Sequence, residues 1–176
     1  IGAEAVVRAA PDGYTLLYTP SPIAVSKVLS KEVRFDSQRD LRPISMAISI
    51  PLILVVHPSM PVKNAKELIA LAKAKPGQIN YATPGSGGIN HIATEVFSSL
   101  AGIKLMHIPY KGAGPALTDV IGGQVHLAFQ GPLNVAPHIK SGKLRGLAAS
   151  GNARLATLPQ VPTFTEAGLR GYDVEL

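Results

Sequence analysis

The segment Ile79-Asn80-Tyr81-Ala82-Thr83-Pro84-Gly85-Ser86-Gly87-Gly88-Ile89-Asn90-His91 constrains this chain more than any other. A strand-like run enters, glycines make a turn, and a helix leaves. Ile89, Ile92, Ala93, Val96, Phe97 and Leu100 fall at the i, i+3, i+4, i+7 spacing of one buried face. Such a junction needs a sheet for the strand and an apolar surface for the helix. It also leaves main-chain N–H groups free at the positive end of the helix dipole. Two readings stand side by side: a seat for a carboxylate or phosphate, or a tight turn that lets the helix pack on its sheet.

The same alternation runs through the chain. Ile1 to Ala10 reads as a helix ended by Pro11-Asp12-Gly13. Tyr14 to Thr19 reads as a strand, and Thr19-Pro20-Ser21-Pro22 opens a helix to Leu29. Leu41 to His57 reads as a long extended segment, in which Pro51 argues for an edge or a crossing. Asn64 caps a helix stopped by Pro76-Gly77. Beyond Gly102, strands at Lys104–Ile108, Val125–Phe129 and Leu144–Ala149 alternate with helices from Pro115 and Pro132, and a short helix follows at Thr163–Ala167. Strands alternating with helices of about ten residues mean βαβ units and a mainly parallel sheet. The fold class expected is α/β.

Hydrophobic residues make up 46% and charged ones 16% of the 176 residues, the balance of a globular chain. There is no Cys, so disulfides and thiolate metal sites are excluded. Residues 1–50 hold six Lys/Arg against five Asp/Glu; residues 51–176 hold eleven against six. This excess either steers anions or merely keeps the surface solvated. Low aromatic content and the lack of a basic run argue against nucleic acid. The first residue is Ile, and Ile1 to Ala10 starts without a cap, which reads as a piece of a longer chain.

In open α/β sheets, ligands gather outside the carboxyl ends of strands. Thr83–His91, Tyr110–Pro115 and Gln130–Pro132 are such turns, with Thr19–Pro22 as a fourth. None matches a nucleotide motif. Asn90 stands where a dinucleotide fingerprint needs its third glycine, no Gly-Lys-Ser/Thr follows, and Pro84 breaks the nucleophile elbow around Ser86. Ser86 either offers its hydroxyl to a ligand or caps the helix. His91 lines a cleft or hydrogen-bonds nearby backbone. Tyr110 reaches a ligand or packs, and Gln130 orients a ligand or faces solvent. His57, His107, His126 and His138 lack metal-site spacing, and neither metal nor cofactor is expected.

Five segments then fall into a familiar order. They are Pro11–Leu17; Tyr81–Gly87 with His91; His107–Gly112 with Pro115–Asp119 and Gly122–Val125; Gly142–Arg145; and Leu158–Thr163 with Glu166–Gly168. From end to end the chain resembles the Bug, or TctC-like, extracytoplasmic solute receptors of tripartite tricarboxylate transporters. The resemblance implies a periplasmic-binding-protein fold of the type II, flytrap kind. Residues 1–50 would be a partial first lobe, 51–145 a complete second lobe, and 146–176 the hinge return and start of the rest of the first lobe. Ser45–Pro51 and Gly146–Ser150 would be the hinge crossings. It implies a periplasmic protein, exported by a signal peptide on its precursor, that captures a small carboxylate and hands it to membrane transporter subunits. The ligand residues implied are Thr83, Gly85, Ser86, Gly87, His91, Tyr110, Gly112 and Gln130, with Ser21 from the first lobe. Family members often carry Asp where Gln130 stands, so a plain carboxylic acid is expected here rather than an amino acid. Two rival readings remain: a hydrolase or transferase using Ser86 and His91, and a truncated module whose exposed strand edges pair into a homodimer.

Overall fold

The computed structural model describes residues 2–175. The chain forms two compact units, Ile1–Ile48 and Ser49–Leu176.

The first unit is short of core. Its elements are α1 (Gly2–Arg8), a 3-10 turn at Ser21–Val25 that runs into α2 (Ser26–Leu29), and α3 (Ser37–Asp40). The Asp36 carboxylate caps α3 by accepting the Gln38 N–H at 3.1 Å. Phe35 is the one buried large apolar side chain among the unit's described residues. Tyr14–Thr19, expected as a strand, is unpaired backbone. A strand exists only against a hydrogen-bonding neighbour, and the described residues of this unit supply none. Tyr14, Leu16 and Tyr18 therefore stand 92%, 68% and 79% exposed.

The second unit is a five-stranded sheet between helices. β1 (Ile53–Val56), β2 (Asn80–Thr83), β3 (Met106–Pro109), β4 (Leu127–Gln130) and β5 (Arg145–Ala149) lie in the order β3-β2-β4-β1-β5. β2 pairs parallel with β3 and β4, while β1 runs antiparallel to β4 and β5. The sheet is thus parallel but for β1, as the alternation of elements requires. All four residues of β1 are buried, which its unbroken Ile-Leu-Val-Val run demands. Leu52, Leu54 and Val56 face one core with α4 (Ala65–Ala74) and α5 (Ile89–Ala101). Ile53 and Val55 face the other with α6 (Ala113–Ile121) and α7 (Pro132–Lys140).

Several expectations need correction. Of Leu41–His57 only Ile53–Val56 is strand, and Pro51 makes an isolated antiparallel bridge to Glu175. Gly146–Ser150 overlaps β5, which pairs along β1. Thr163–Ala167 is a turn rather than a helix. Glu166 and Thr163 do exchange the hydrogen bonds of a capping box, but Gly168 at φ +89° ends the turn at once. Phe164 and Tyr172 from this region stack on Phe129 and meet Phe97 at a tilt and edge-on, and the Tyr172 hydroxyl donates to the Ala93 carbonyl at 3.1 Å. Residues after β5 thereby complete the core of this unit. The buried face of α5 is also rotated from the expected stripe: Thr94 and Ser98 are buried with Ala93 and Phe97, and Leu100 is 46% exposed. Small side chains let the helix lie close to the sheet, and Thr94 returns its hydroxyl to the Asn90 carbonyl at 2.8 Å.

Candidate functional site

Because β2, β3 and β4 run parallel, the helices that follow them all begin at one edge of the sheet. The N-caps of α5, α6 and α7 are Gly88, Gly112 and Gly131, and none supplies a side-chain cap. α4 begins at the opposite edge, after antiparallel β1. There Asn64 accepts the Glu67 N–H at 2.9 Å and Glu67 accepts the Lys63 N–H at 2.7 Å. The chain therefore caps the helix start away from this edge with its own side chains and leaves the three starts at this edge uncapped.

The edge is held together by short bonds. Tyr110 N–H donates to the Thr83 carbonyl and Gly112 N–H to the Pro84 carbonyl, each at 2.9 Å. The Asn90 carboxamide donates to the Phe129 carbonyl at 2.6 Å, tying α5 to β4. Gly87 at φ +78° and Gly112 at φ +116° take backbone conformations that side-chain-bearing residues rarely adopt. The N–H groups of Ser86, Gly88, Ile89 and Asn90 have no main-chain acceptor among the described residues. Gln130 ends β4 at this edge; it is 1% exposed, and its side-chain NH2 has no partner. A buried donor without an acceptor costs about 1–3 kcal/mol, and a protein tolerates it where a ligand supplies the acceptor.

Thr83, Gly85, Ser86, Gly87, His91, Tyr110, Gly112 and Gln130 thus come to one edge, but they do different work. Ser86 is exposed and leaves the cap position to Gly88. Thr83 is fully buried, and its hydroxyl donates to the Gly85 carbonyl at 3.0 Å and meets His107 Nε2 at 2.6 Å. Tyr110 donates its hydroxyl to Asp119 at 2.6 Å; burial and that carboxylate push its ionisation up to about 12. His91 Nδ1 accepts the Gly87 N–H at 3.1 Å. That nitrogen is engaged with main chain rather than with the Ser86 hydroxyl, so the pairing a hydrolase would need is not made. The Ser21 side chain lies outside the described residues.

The sequence reading passed over His107. Its ring stacks on His91 with centroids 4.1 Å apart and an interplanar angle of 10°, and on Tyr81 at 4.9 Å. Burial first, and the neighbouring His91 second, hold His107 below the usual imidazole range. Tyr81 donates to Glu95 at 2.5 Å; burial and this carboxylate push the phenol upward. His107 comes from β3 and Glu95 from the second turn of α5, so nothing local in sequence links them. Among the described residues no cluster of His, Asp or Glu has the makings of a metal site.

A parallel sheet edge with bare helix starts presents unpaired main-chain donors of the kind that suit an anion. A family model described as the tripartite tricarboxylate transporter family receptor matches residues 1–175. The chain belongs to this family. Protein BugT of Bordetella pertussis is 39% identical over 170 residues, covering 96% of this chain and 52% of its own length. The solved structure of the periplasmic binding protein BugD superposes with a TM-score of 0.81 at 31% identity, covering 98% of this chain and 58% of that one. A Rhodopseudomonas palustris protein solved with adipate gives 0.80 at 31% identity with the same coverage. The chain spans about half the length of the curated relatives it matches. The family is one of transporter receptors, and the solved relative BugD is a periplasmic binding protein.

Proposed function

We propose that the protein to which this chain belongs is a periplasmic receptor that captures a small carboxylate at the β2–β3–β4 edge for a tripartite tricarboxylate transporter. What supports the reading is that α5, α6 and α7 all start at this edge without a side-chain cap, and that Gln130, at the end of β4, is buried with a side-chain NH2 that has no partner. A carboxylate is acceptor-only when ionised. It accepts from several of the free N–H groups of Ser86, Gly88, Ile89 and Asn90 at once. The uncharged Gln130 favours a di- or tricarboxylate or an aromatic acid over an amino acid, whose ammonium group would seek a carboxylate there. A ligand so placed awaits closure by a second lobe. Closure is a hinge motion, and the ligand shifts a balance between open and closed forms. Membrane subunits of the transporter would then read the closed form.

The test is calorimetry on the whole protein with adipate, malate and aromatic acids, using two variants at one position. Gly88 has φ −74°, which proline accepts, and a Cβ there meets nothing within 4 Å. Gly88→Pro deletes one N–H, whereas Gly88→Ala keeps it. A charge-assisted hydrogen bond worth about 1.5–3 kcal/mol makes Gly88→Pro bind roughly ten- to a hundredfold more weakly, with Gly88→Ala near the parent. Equal affinities in the two variants, or no heat with any acid, overturn the reading.

A further inference from the structure

We propose that the stacked His91–His107 pair is a proton-sensitive latch on the Gly85–Gly87 turn, with His91 as the positioning residue for the Gly87 amide. The inference rests on the receptor reading only in that this turn is the ligand's seat. Each end of the turn is held by one imidazole. At Gly87 the N–H donates to His91 Nδ1 at 3.1 Å, so the His91 ring is neutral with its proton on Nε2. At Gly85 the carbonyl takes the single hydroxyl proton of Thr83 at 3.0 Å, which leaves the Thr83 oxygen to accept from His107 Nε2–H at 2.6 Å. One latch point thus acts directly and the other through Thr83.

The two rings lie in face contact, centroids 4.1 Å apart. The groups facing the pair are Tyr81 from β2, stacked on both rings, and Glu95 from α5, whose Oε1 stands 4.0 Å from His91 Nε2. Two imidazolium rings stacked at this distance repel, so a single proton is shared out between them. Burial keeps His107 neutral, while Glu95 Oε1 lies 4.0 Å from His91 Nε2. A proton added to His91 goes to Nδ1, the ring's one unprotonated nitrogen. The Gly87 N–H then faces another donor, its bond is lost, and the turn opens from the Gly87 end. Histidine charge changes between about pH 5 and 8, so the turn is set by ambient acidity.

The test is an NMR titration of the ligand-free chain, following the imidazole nitrogens and the Gly87 amide. The Gly87 amide shift should move with the midpoint of His91, and His107 should titrate only at lower pH. His91→Phe keeps a stacked ring but removes the acceptor. In it the Gly87 amide should sit at its acid-limit shift at every pH, and the His107 midpoint should rise. A Gly87 amide indifferent to the His91 titration, or unchanged in His91→Phe, overturns the latch. Should the variant fail to fold, the parent titration alone decides. Adipate added to the whole protein at pH 7.5 separates the two claims: absence of binding there counts against the receptor reading, while the ligand-free shifts still judge the latch.

Discussion

The Asn90 carboxamide reaches from the first turn of α5 to the Phe129 carbonyl at the end of β4, 2.6 Å away. This one bond fixes the helix start against the strand that carries Gln130, the next residue. It couples the glycine turn to the end of β4. Asn90→Ala leaves the Phe129 carbonyl without this donor. The cost expected is about 1–3 kcal/mol, seen as a Tm lower by several degrees in a chain of this size. Asn90→Asp sets an acceptor against an acceptor and should be worse. A Tm unchanged in Asn90→Ala would show that the contact is incidental.

Gln130 inverts the usual expectation for a buried side chain. Its NH2 is unpartnered, so removing it relieves a penalty. Gln130→Met keeps similar volume, and the ligand-free protein should be as stable as the parent or more stable by about 1 kcal/mol. Carboxylate affinity should fall at least tenfold. Urea denaturation and calorimetry on the same samples give both numbers. Lower stability together with intact affinity would mean that Gln130 serves the core rather than the ligand.

Much of this was legible in the sequence because the signals were local. The Ile79–His91 strand, glycine turn and helix lie within one stretch, and the turn-bearing glycines at 87 and 112 do take positive φ. What the sequence hid depends on neighbours distant along the chain. His107 reads as an unremarkable strand residue until β3 is laid beside β2, which puts its ring on Tyr81 and His91. Tyr14–Thr19 has the alternation of a strand, but pairing is a property of two segments and not of one. Thr163 and Glu166 carry a helix-start signal that is satisfied in full, yet Gly168 stops the turn before a helix can follow. Thr94 and Ser98 break the apolar stripe of α5 because closeness to the sheet there outweighs hydrophobic area.

Acid should destabilise the chain in two separate windows. His107 and His126 are both held below the usual imidazole value, in each case chiefly by burial. They fold neutral, and the unfolded chain takes up protons first, so stability falls as pH drops below about 6.5. The depressed carboxyls act later. Asp40, at about 2 beside Arg39, with Asp36 beside Lys27 and Glu166 beside Arg154, stabilises above the unfolded value and loses this as pH falls through about 4. The acid-side loss should shrink in high salt, since these ion pairs are exposed. Urea midpoints at pH 7.5, 6.0 and 5.0 test the first window, and a midpoint constant over that range rules it out.

The first unit makes a prediction of another kind. Tyr14, Leu16 and Tyr18 alternate along one unpaired stretch, and Ile44, Met46 and Ile48 alternate along another at 79%, 81% and 57% exposed. Two period-2 apolar rows without a sheet are strand edges in want of partners. In a protein of the relatives' length such rows have further chain to pair with. In the 176-residue chain alone they should pair with a second copy, giving a concentration-dependent dimer at micromolar levels. Thr substitutions at Leu16 and Ile48 keep β-propensity but cut the apolar area, and should shift the dissociation constant at least tenfold toward monomer. Sedimentation equilibrium reads this directly. A parent chain that stays monomeric up to several hundred micromolar would show that these rows are covered within a single molecule.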